Sequence, residues 1–193
     1  MLKGKIIKGI AGFYYVKSGD TVYRCKARGI FKERGIKPAV GDAVLIEVLE
    51  GNDDSLITEI LPRRNCFVRP FISNVDCFVI VTAVARPAPV LQTIDRFLIM
   101  AGRADTEVVI CINKCDLAGE DGGRARKKAF EAKCELLEIY SPLYPVVCME
   151  GISGGGLDQL TDLIRGKTAA LAGASGVGKS TILNGLLPNA AME

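Results

Sequence analysis

Residues 173–180 read Gly-Ala-Ser-Gly-Val-Gly-Lys-Ser, the spacing GxxxxGK[ST], placed between an apolar run at 168–172 and a helix-forming stretch at 179–187. A loop of this composition wraps an anion tightly with its backbone N–H groups turned inward, and the helix that follows points its positive end at the same anion. The pattern demands a buried strand, a turn and a helix in that order. Such units pack into parallel sheets whose ligands sit at the carboxyl ends of the strands. Gly173, Ala174, Ser175, Gly176, Val177, Gly178, Lys179, Ser180 and Thr181 are therefore the candidate phosphate-binding residues. Lys179 is expected to reach β- and γ-phosphates, the Ser180 hydroxyl to ligate Mg²⁺, and Thr181 to face the α-phosphate.

The preceding hundred residues agree with a parallel sheet. Residues 75–84 form a near-continuous apolar run, the mark of a strand buried on both faces. Apolar residues at 91, 94, 97, 98 and 101 have helical spacing within 90–104. Further strands are expected at 107–112, 143–147 and 168–172, with helices at 123–138, 156–165 and 179–187. Strands alternating with helices give an α/β layer covered on both sides.

Asn113-Lys114-Cys115-Asp116 follows the strand expected at 107–112, so a second loop falls at a carboxyl end. Guanine offers two donors on one edge, and one carboxylate, Asp116, can accept from both. Adenine presents a lone pair there and would leave a buried carboxylate unpaired. Asn113 can bond the other edge of the base and tie this loop to the phosphate loop, while the Lys114 stem packs across the ring. A third loop, Cys148-Met149-Glu150, stands where a backbone N–H could support the base oxygen, and reads equally well as a plain connection. The base loop precedes the phosphate loop in the chain, the reverse of ordinary GTPases. A permuted chain can build the same pocket because domain termini often lie close together.

The first sixty residues have another rhythm. Short β-rich runs at 5–10, 21–28, 43–49 and 55–61 are separated by turn signals at 18–20, 37–42 and 51–54, which suggests a small β-barrel. Pro62-Arg63-Arg64-Asn65 breaks the pattern, placing a boundary between 1–65 and 66–193. The chain carries a net charge of +3. Residues 1–64 hold 12 Lys and Arg against 8 Asp and Glu, and the remainder 13 against 14, so the positive excess lies in the first third. Lys26, Arg28, Lys32, Arg34 and Lys37 crowd one stretch around Phe31, which suits phosphate contacts with base stacking; a solvated loop with Phe31 packed on the barrel is the other reading.

With no histidine, the chain has no His-based zinc site and no His general base. Seven cysteines without CxxC spacing read as small residues of a reduced protein. No signal-peptide core and no apolar run of spanning length are visible, so a soluble, cytoplasmic protein with no membrane partner is expected; a monomer is expected as well.

Motif order, the β-rich N-terminal stretch and the wording of both nucleotide motifs resemble the RsgA/YjeQ family. Supporting pieces are Pro38-Ala-Val-Gly41-Asp42, Arg63-Arg64-Asn65, Arg69-Pro70, Asn74-Val-Asp76 and Ile94-Asp95-Arg96-Phe97-Leu98. The resemblance implies an OB-fold barrel followed by a circularly permuted, here incomplete, P-loop GTPase domain with a parallel sheet. It implies GTP or GDP at Asn113, Lys114, Cys115, Asp116 and the residues from Gly173 to Thr181, with Mg²⁺ at Ser180. The implied partner is the small ribosomal subunit with its rRNA, in late maturation, and the resemblance favours the RNA-binding reading of the basic stretch. The family continues with a switch segment, an Asp-Thr-Pro-Gly loop and a zinc-binding domain, whereas this chain stops at Glu193. No switch threonine, DxxG aspartate or zinc ligand is present, so no catalytic residue is assigned and weak or absent hydrolysis by this stretch alone is expected. Two alternatives stay open: a P-loop ATPase or kinase with an incidental Asn113–Asp116 loop, and a non-catalytic RNA-binding module with a structural nucleotide.

Overall fold

Five strands close on themselves at the start of the chain. β1 (Leu2–Ile10), β2 (Phe13–Ser18), β3 (Thr21–Ala27), β4 (Ala43–Glu47) and β5 (Ser55–Ile60) form a closed barrel in the order β1-β2-β3-β5-β4. Inward residues Ile6, Val16, Cys25, Val44, Ile46 and Ile57 make its core. The computed structural model describes residues 1–49, 54–68, 70–150 and 153–187. The expected turn residues 51–53 and the Arg69 of the Arg-Pro pair therefore lie outside the described residues.

Between β3 and β4 sits a helix of five residues, α1 (Gly29–Glu33), too short to leave a helical period in the sequence. It delivers Phe31 into the barrel core, 8% exposed. Burying that ring contributes about 2–3 kcal/mol, and the ring is spent on packing. The expectation that Phe31 would stack on a nucleobase gives way to the packing alternative.

A short hairpin of β6 (Cys66–Phe67) and β7 (Ile72–Ser73) follows the barrel. Asp42, fully buried, accepts from Arg63 Nε at 2.7 Å, Arg63 Nη2 at 2.7 Å, Ser73 Oγ at 2.6 Å and the Ala39 N–H at 2.7 Å. Asn65 closes the segment onto Val75, giving its Nδ2 hydrogen to the Val75 carbonyl and accepting the Val75 N–H, both at 2.9 Å. These bonds explain why the first compact unit runs from Met1 to Val75 and the second from Asp76 to Glu193. The Pro62–Asn65 break ends the barrel strands, yet Ser73 and Val75 beyond it are held by Asp42 and Asn65.

The second unit is a four-stranded parallel sheet in the order β10-β9-β8-β11, made of β8 (Cys77–Ala83), β9 (Glu107–Asn113), β10 (Val146–Cys148) and β11 (Ala169–Ala172). Every residue of β8 is buried, as its unbroken apolar run requires. α2 (Leu91–Arg103) and α3 (Arg124–Tyr140) join strands laid down in one direction, β8 to β9 to β10. α4 (Leu157–Ile164) makes the return to β11, on the other side of β8, and α5 (Lys179–Leu186) follows β11. Right-handed crossovers then put α2 and α3 on one face and α4 and α5 on the other. The packing agrees: Cys77, Val79, Val81, Val109, Cys111 and Val147 share a core with Leu160 of α4 and Ile182 of α5, and Phe78 stacks on Phe97 of α2. The direction of winding reverses between β8 and β11. A crevice opens at the strand ends at such a point.

One strand differs from expectation. Residues 143–147 were expected to be extended, but the Tyr140 carbonyl accepts the N–H groups of Leu143 and Tyr144 at 3.1 and 3.0 Å, so α3 ends in a tight turn. β10 starts only after Pro145, whose ring lacks the N–H a strand would use.

Candidate nucleotide-binding site

The phosphate loop leaves β11 at Ala172 and enters α5 at Lys179, as its sequence context requires. Gly173 and Gly178 hold φ of +148° and +100°, a region that residues with a Cβ rarely adopt. Space is as restrictive as conformation. A Cβ on Gly173 would stand 2.2 Å from the Val81 carbonyl oxygen, and one on Gly178 would stand 2.2 Å from Asn113 Nδ2. Ala174, Ser175, Gly176, Ser180 and Thr181 are exposed, while Val177 turns inward and anchors the loop in the core. Lys179 lies across the loop, giving hydrogen bonds from Nζ to the Gly173 carbonyl at 3.0 Å and the Ala174 carbonyl at 2.7 Å.

The base loop leaves the neighbouring part of the sheet, two strands from β11, and reaches back across the end of β8. Asn113 Nδ2 donates to the Val177 carbonyl at 2.8 Å. Lys114 Nζ donates to the Gly176 carbonyl at 2.7 Å and to the Arg86 carbonyl. Lys114 can do this because its own backbone is left-handed, φ 60° and ψ 33°, and opens the 3-10 turn Cys115–Leu117. Residues more than sixty positions apart in the chain thus form one cleft. Asp116 stands on that turn, exposed, with no hydrogen bond or ion pair to another described residue.

Asn113 is 1% exposed, yet its Oδ1 has no hydrogen-bond partner among the described residues. An unsatisfied buried acceptor costs about 1–3 kcal/mol, which a donor entering the cleft would relieve. The groups around the cleft therefore suit a polar ligand: a lysine and the backbone of a glycine-rich loop for phosphates, and the accepting carboxylate of Asp116 for the donors of a base edge.

The third loop is tied to the base loop by backbone alone. Met149 N–H donates to the Ile112 carbonyl at 2.8 Å, Cys115 N–H donates to the Met149 carbonyl at 3.0 Å, and Glu150 N–H donates to the Gly155 carbonyl at 3.0 Å. The N–H groups of Met149 and Glu150 are thereby engaged, so the loop braces the Asn113–Asp116 turn from behind. Burial lifts the Cys111 thiol beneath it to about 12, so it acts as an apolar filler of the core.

The sequence did not point to Arg86. Its carbonyl anchors Lys114, and Pro87 lies against Gly176, a Cβ on which would stand 3.7 Å from Pro87 Cδ. A backbone carbonyl leaves no side-chain signature; the available signal was a Pro-rich cluster, Arg86-Pro-Ala-Pro, at the end of a buried strand.

Of the five basic candidates on the barrel, Lys26 pairs with Asp54 at 2.9 Å and Arg28 with Glu47 at 2.8 Å. Lys32, Arg34 and Lys37 are exposed and make no ion pair with another described residue. Lys26, Arg28, Lys32 and Lys37, without Arg34, line an open cleft of about 600 Å³ beside the Ala11-Gly12 turn. Lys26 lies 5.0 Å from the centre of the Phe13 ring, and Lys37 lies 5.4 Å from that of Phe71.

Comparison with known proteins fits both units. Residues 3–57 match the RsgA N-terminal domain and residues 60–193 match the RsgA GTPase family. The chain is 44% identical to the small ribosomal subunit biogenesis GTPase RsgA of Alkaliphilus metalliredigens, covering 100% of this chain and 63% of that protein. It is 42% identical to the protein of the same name from Carboxydothermus hydrogenoformans, covering 98% of this chain and 62% of the relative. The chain therefore spans just under two thirds of the length of these relatives. The crystal structure of YjeQ from Thermotoga maritima superposes with a TM-score of 0.85 at 33% identity, covering 100% of this chain and 67% of that one. The structure of YloQ, a circularly permuted GTPase, gives 0.74 at 35% identity, covering 95% and 63%. With a closed five-stranded barrel, a parallel sheet and a phosphate loop that follows its base loop, the chain belongs to the RsgA GTPase family.

Proposed function

We propose that this chain binds guanine nucleotides, and that the protein it belongs to is a GTPase serving the maturation of the small ribosomal subunit. The supporting observation is the pair of bonds from Asn113 Nδ2 to the Val177 carbonyl and from Lys114 Nζ to the Gly176 carbonyl, which bring the base loop and the phosphate loop to one cleft. In this reading Gly173 to Thr181 wrap the phosphates. Asn113, Lys114 and Cys115 frame the base, and Asp116 accepts the two guanine donors. Lys179 exchanges its two loop carbonyls for phosphate oxygens when the ligand enters. Ser180, exposed at the first turn of α5, holds Mg²⁺, which neutralises phosphate charge when bound.

The barrel is the proposed rRNA-binding domain, with the GTPase domain following it, and Lys26, Arg28, Lys32, Arg34 and Lys37 meet RNA phosphates. The relatives are named small ribosomal subunit biogenesis GTPases, and in this reading the small ribosomal subunit as partner, a cytoplasmic location and a monomeric state are carried to this protein. Among the described residues no helix is long and apolar enough to cross a membrane. Zinc belongs, in this reading, to the family's further domain and not to these residues.

Calorimetry with GTP, GDP and ATP tests the assignment. Guanine nucleotides are expected to bind at least about 100-fold more tightly than ATP, because adenine strands the Asp116 carboxylate. Equal binding of ATP would instead support the ATPase or kinase alternative. In an Asp116→Asn chain the preference should pass from guanine to xanthine nucleotides, and an unshifted preference would remove Asp116 from base recognition.

A further inference from the structure

Two cysteines meet behind the base loop. Parallel pairing of β10 with β9 sets Cys148 opposite Ile112. Cys115 lies three residues beyond Ile112, and the turn folds it back so that its Sγ donates to the Ile112 carbonyl at 3.2 Å. The Cys115 N–H bonds the Met149 carbonyl, next to Cys148, at 3.0 Å. Backbone pairing thus brings Cys115 beside Cys148, and both side chains are half-buried, so small reagents can reach them. Cys77 and Cys111, by contrast, are sealed in the core.

The geometry points to Cys115 and Cys148 as an oxidisable thiol pair, whose closure to a disulfide by a low-molecular-weight disulfide weakens nucleotide binding at the adjacent Asp116. The two thiols differ in a useful way. The neighbouring Cys115, helped by the charge of Lys133, holds Cys148 below the ordinary thiol range despite burial, while the neighbouring Cys148 and burial push Cys115 up, and the Cys115 proton is given to the Ile112 carbonyl. Cys148 is thus the attacking thiolate and Cys115 the resolving thiol. The Cys148 thiolate attacks the disulfide RSSR, forming Cys148–S–S–R and releasing RS⁻, which takes up a proton as RSH. Cys115 then gives up its proton and attacks the Cys148 sulfur, expelling the second RSH. Two protein thiols are oxidised and one RSSR is reduced to two RSH.

The consequence for the site is geometric and rests on the guanine reading above. A disulfide requires sulfurs about 2.05 Å apart. Cys115 must abandon its bond to the Ile112 carbonyl and move toward β10, and Asp116 is its covalent neighbour. Moving the Asp116 carboxylate off the base edge gives up charge-assisted hydrogen bonds, which are about twice as strong as neutral ones.

The test takes the full chain after reduction, incubates it with oxidised glutathione, maps linked peptides by mass spectrometry, and titrates a fluorescent GDP analogue. An intramolecular 115–148 link, GDP affinity about tenfold weaker, and recovery with dithiothreitol are expected. A Cys148→Ser chain should keep whatever affinity it has before and after oxidant. A glutathione adduct that never resolves, or a linked chain that binds GDP unchanged, would overturn the inference. Failure of the reduced chain to bind GDP would instead overturn the guanine reading, while the peptide map still decides whether the pair closes.

Discussion

Gly178 is where the two recognition loops press on each other. Its φ of +100° and the 2.2 Å between its virtual Cβ and Asn113 Nδ2 make one methyl group a displacement of the base loop. In a Gly178→Ala chain the Asn113 amide must leave the Val177 carbonyl, so phosphate-loop and base-loop geometry fail together. GDP affinity should fall by about 100-fold in calorimetry, the scale of losing two hydrogen bonds to charged groups at about 1.5 kcal/mol each. The loop is exposed on its ligand side, so the circular dichroism of the chain should be retained. Undiminished GDP binding would mean that the Asn113 link is dispensable. The sequence disclosed these residues because both motifs are local: their spacing alone fixes which backbone groups face an anion and which carboxylate faces a base. The link between the loops was foreseen for Asn113. That of Lys114 to Gly176 and Arg86 was not, since a lysine's destination depends on carbonyls brought near by the fold.

Tyr140 pins one helix to another: at the end of α3 its hydroxyl donates to Asp95 Oδ1 of α2 at 2.8 Å, and the ring is 3% exposed. Burial first, and the Asp95 carboxylate second, raise the phenol above its ordinary value of 10.0. A raised folded value means that the folded protein holds this proton more tightly than the unfolded chain. The stabilisation is therefore complete below about pH 10 and is lost as pH climbs through the folded value. Tyr140→Phe should cost about 1 kcal/mol at pH 8, with Asp95 left to water, and the difference from the parent chain should vanish or reverse near pH 11. Urea unfolding of both chains at the two pH values measures this; a difference independent of pH would remove Tyr140 from the account. Elements of this kind were largely legible. The runs at 75–84, 90–104 and 107–112 correspond to β8, α2 and β9 because full burial and a 3.6-residue period leave clear patterns. β2 was missed because Phe13-Tyr-Tyr-Val follows β1 after only Ala11 and Gly12, so the two strands of a tight hairpin run together. α1 was missed for its shortness.

The molecule concentrates its positive charge in the first third, but net charge overstates what RNA can use. A cation already paired must give up its carboxylate to take a phosphate, and so releases fewer counterions from the nucleic acid in net terms. Arg28 is paired with Glu47 and Lys26 with Asp54, which also accepts Arg24 Nε at 2.5 Å. Two hydrogen bonds, from Lys26 and then Arg24, hold the Asp54 carboxyl below its ordinary value. Lys32 and Lys37 make no such pair with another described residue, and they face the cleft beside the Ala11-Gly12 turn. The five candidates are therefore unequal, which their clustering in the sequence could not disclose: the acids that discount two of them arrive from β4 and from the approach to β5, about twenty to thirty residues away. Each phosphate contact contributes about −0.7 to the slope of log K against log salt on single-stranded RNA. Lys32→Ala and Lys37→Ala should each flatten the slope by about that amount. Lys26→Ala and Arg28→Ala should change it by less than half as much, because each of these charges is already offset by a carboxylate that it must leave to take a phosphate. Binding of a fluorescent rRNA fragment measured from low to high salt separates the cases. Equal slopes for all four variants would show that the ion pairs dissolve when RNA arrives, and that the barrel presents its whole charge.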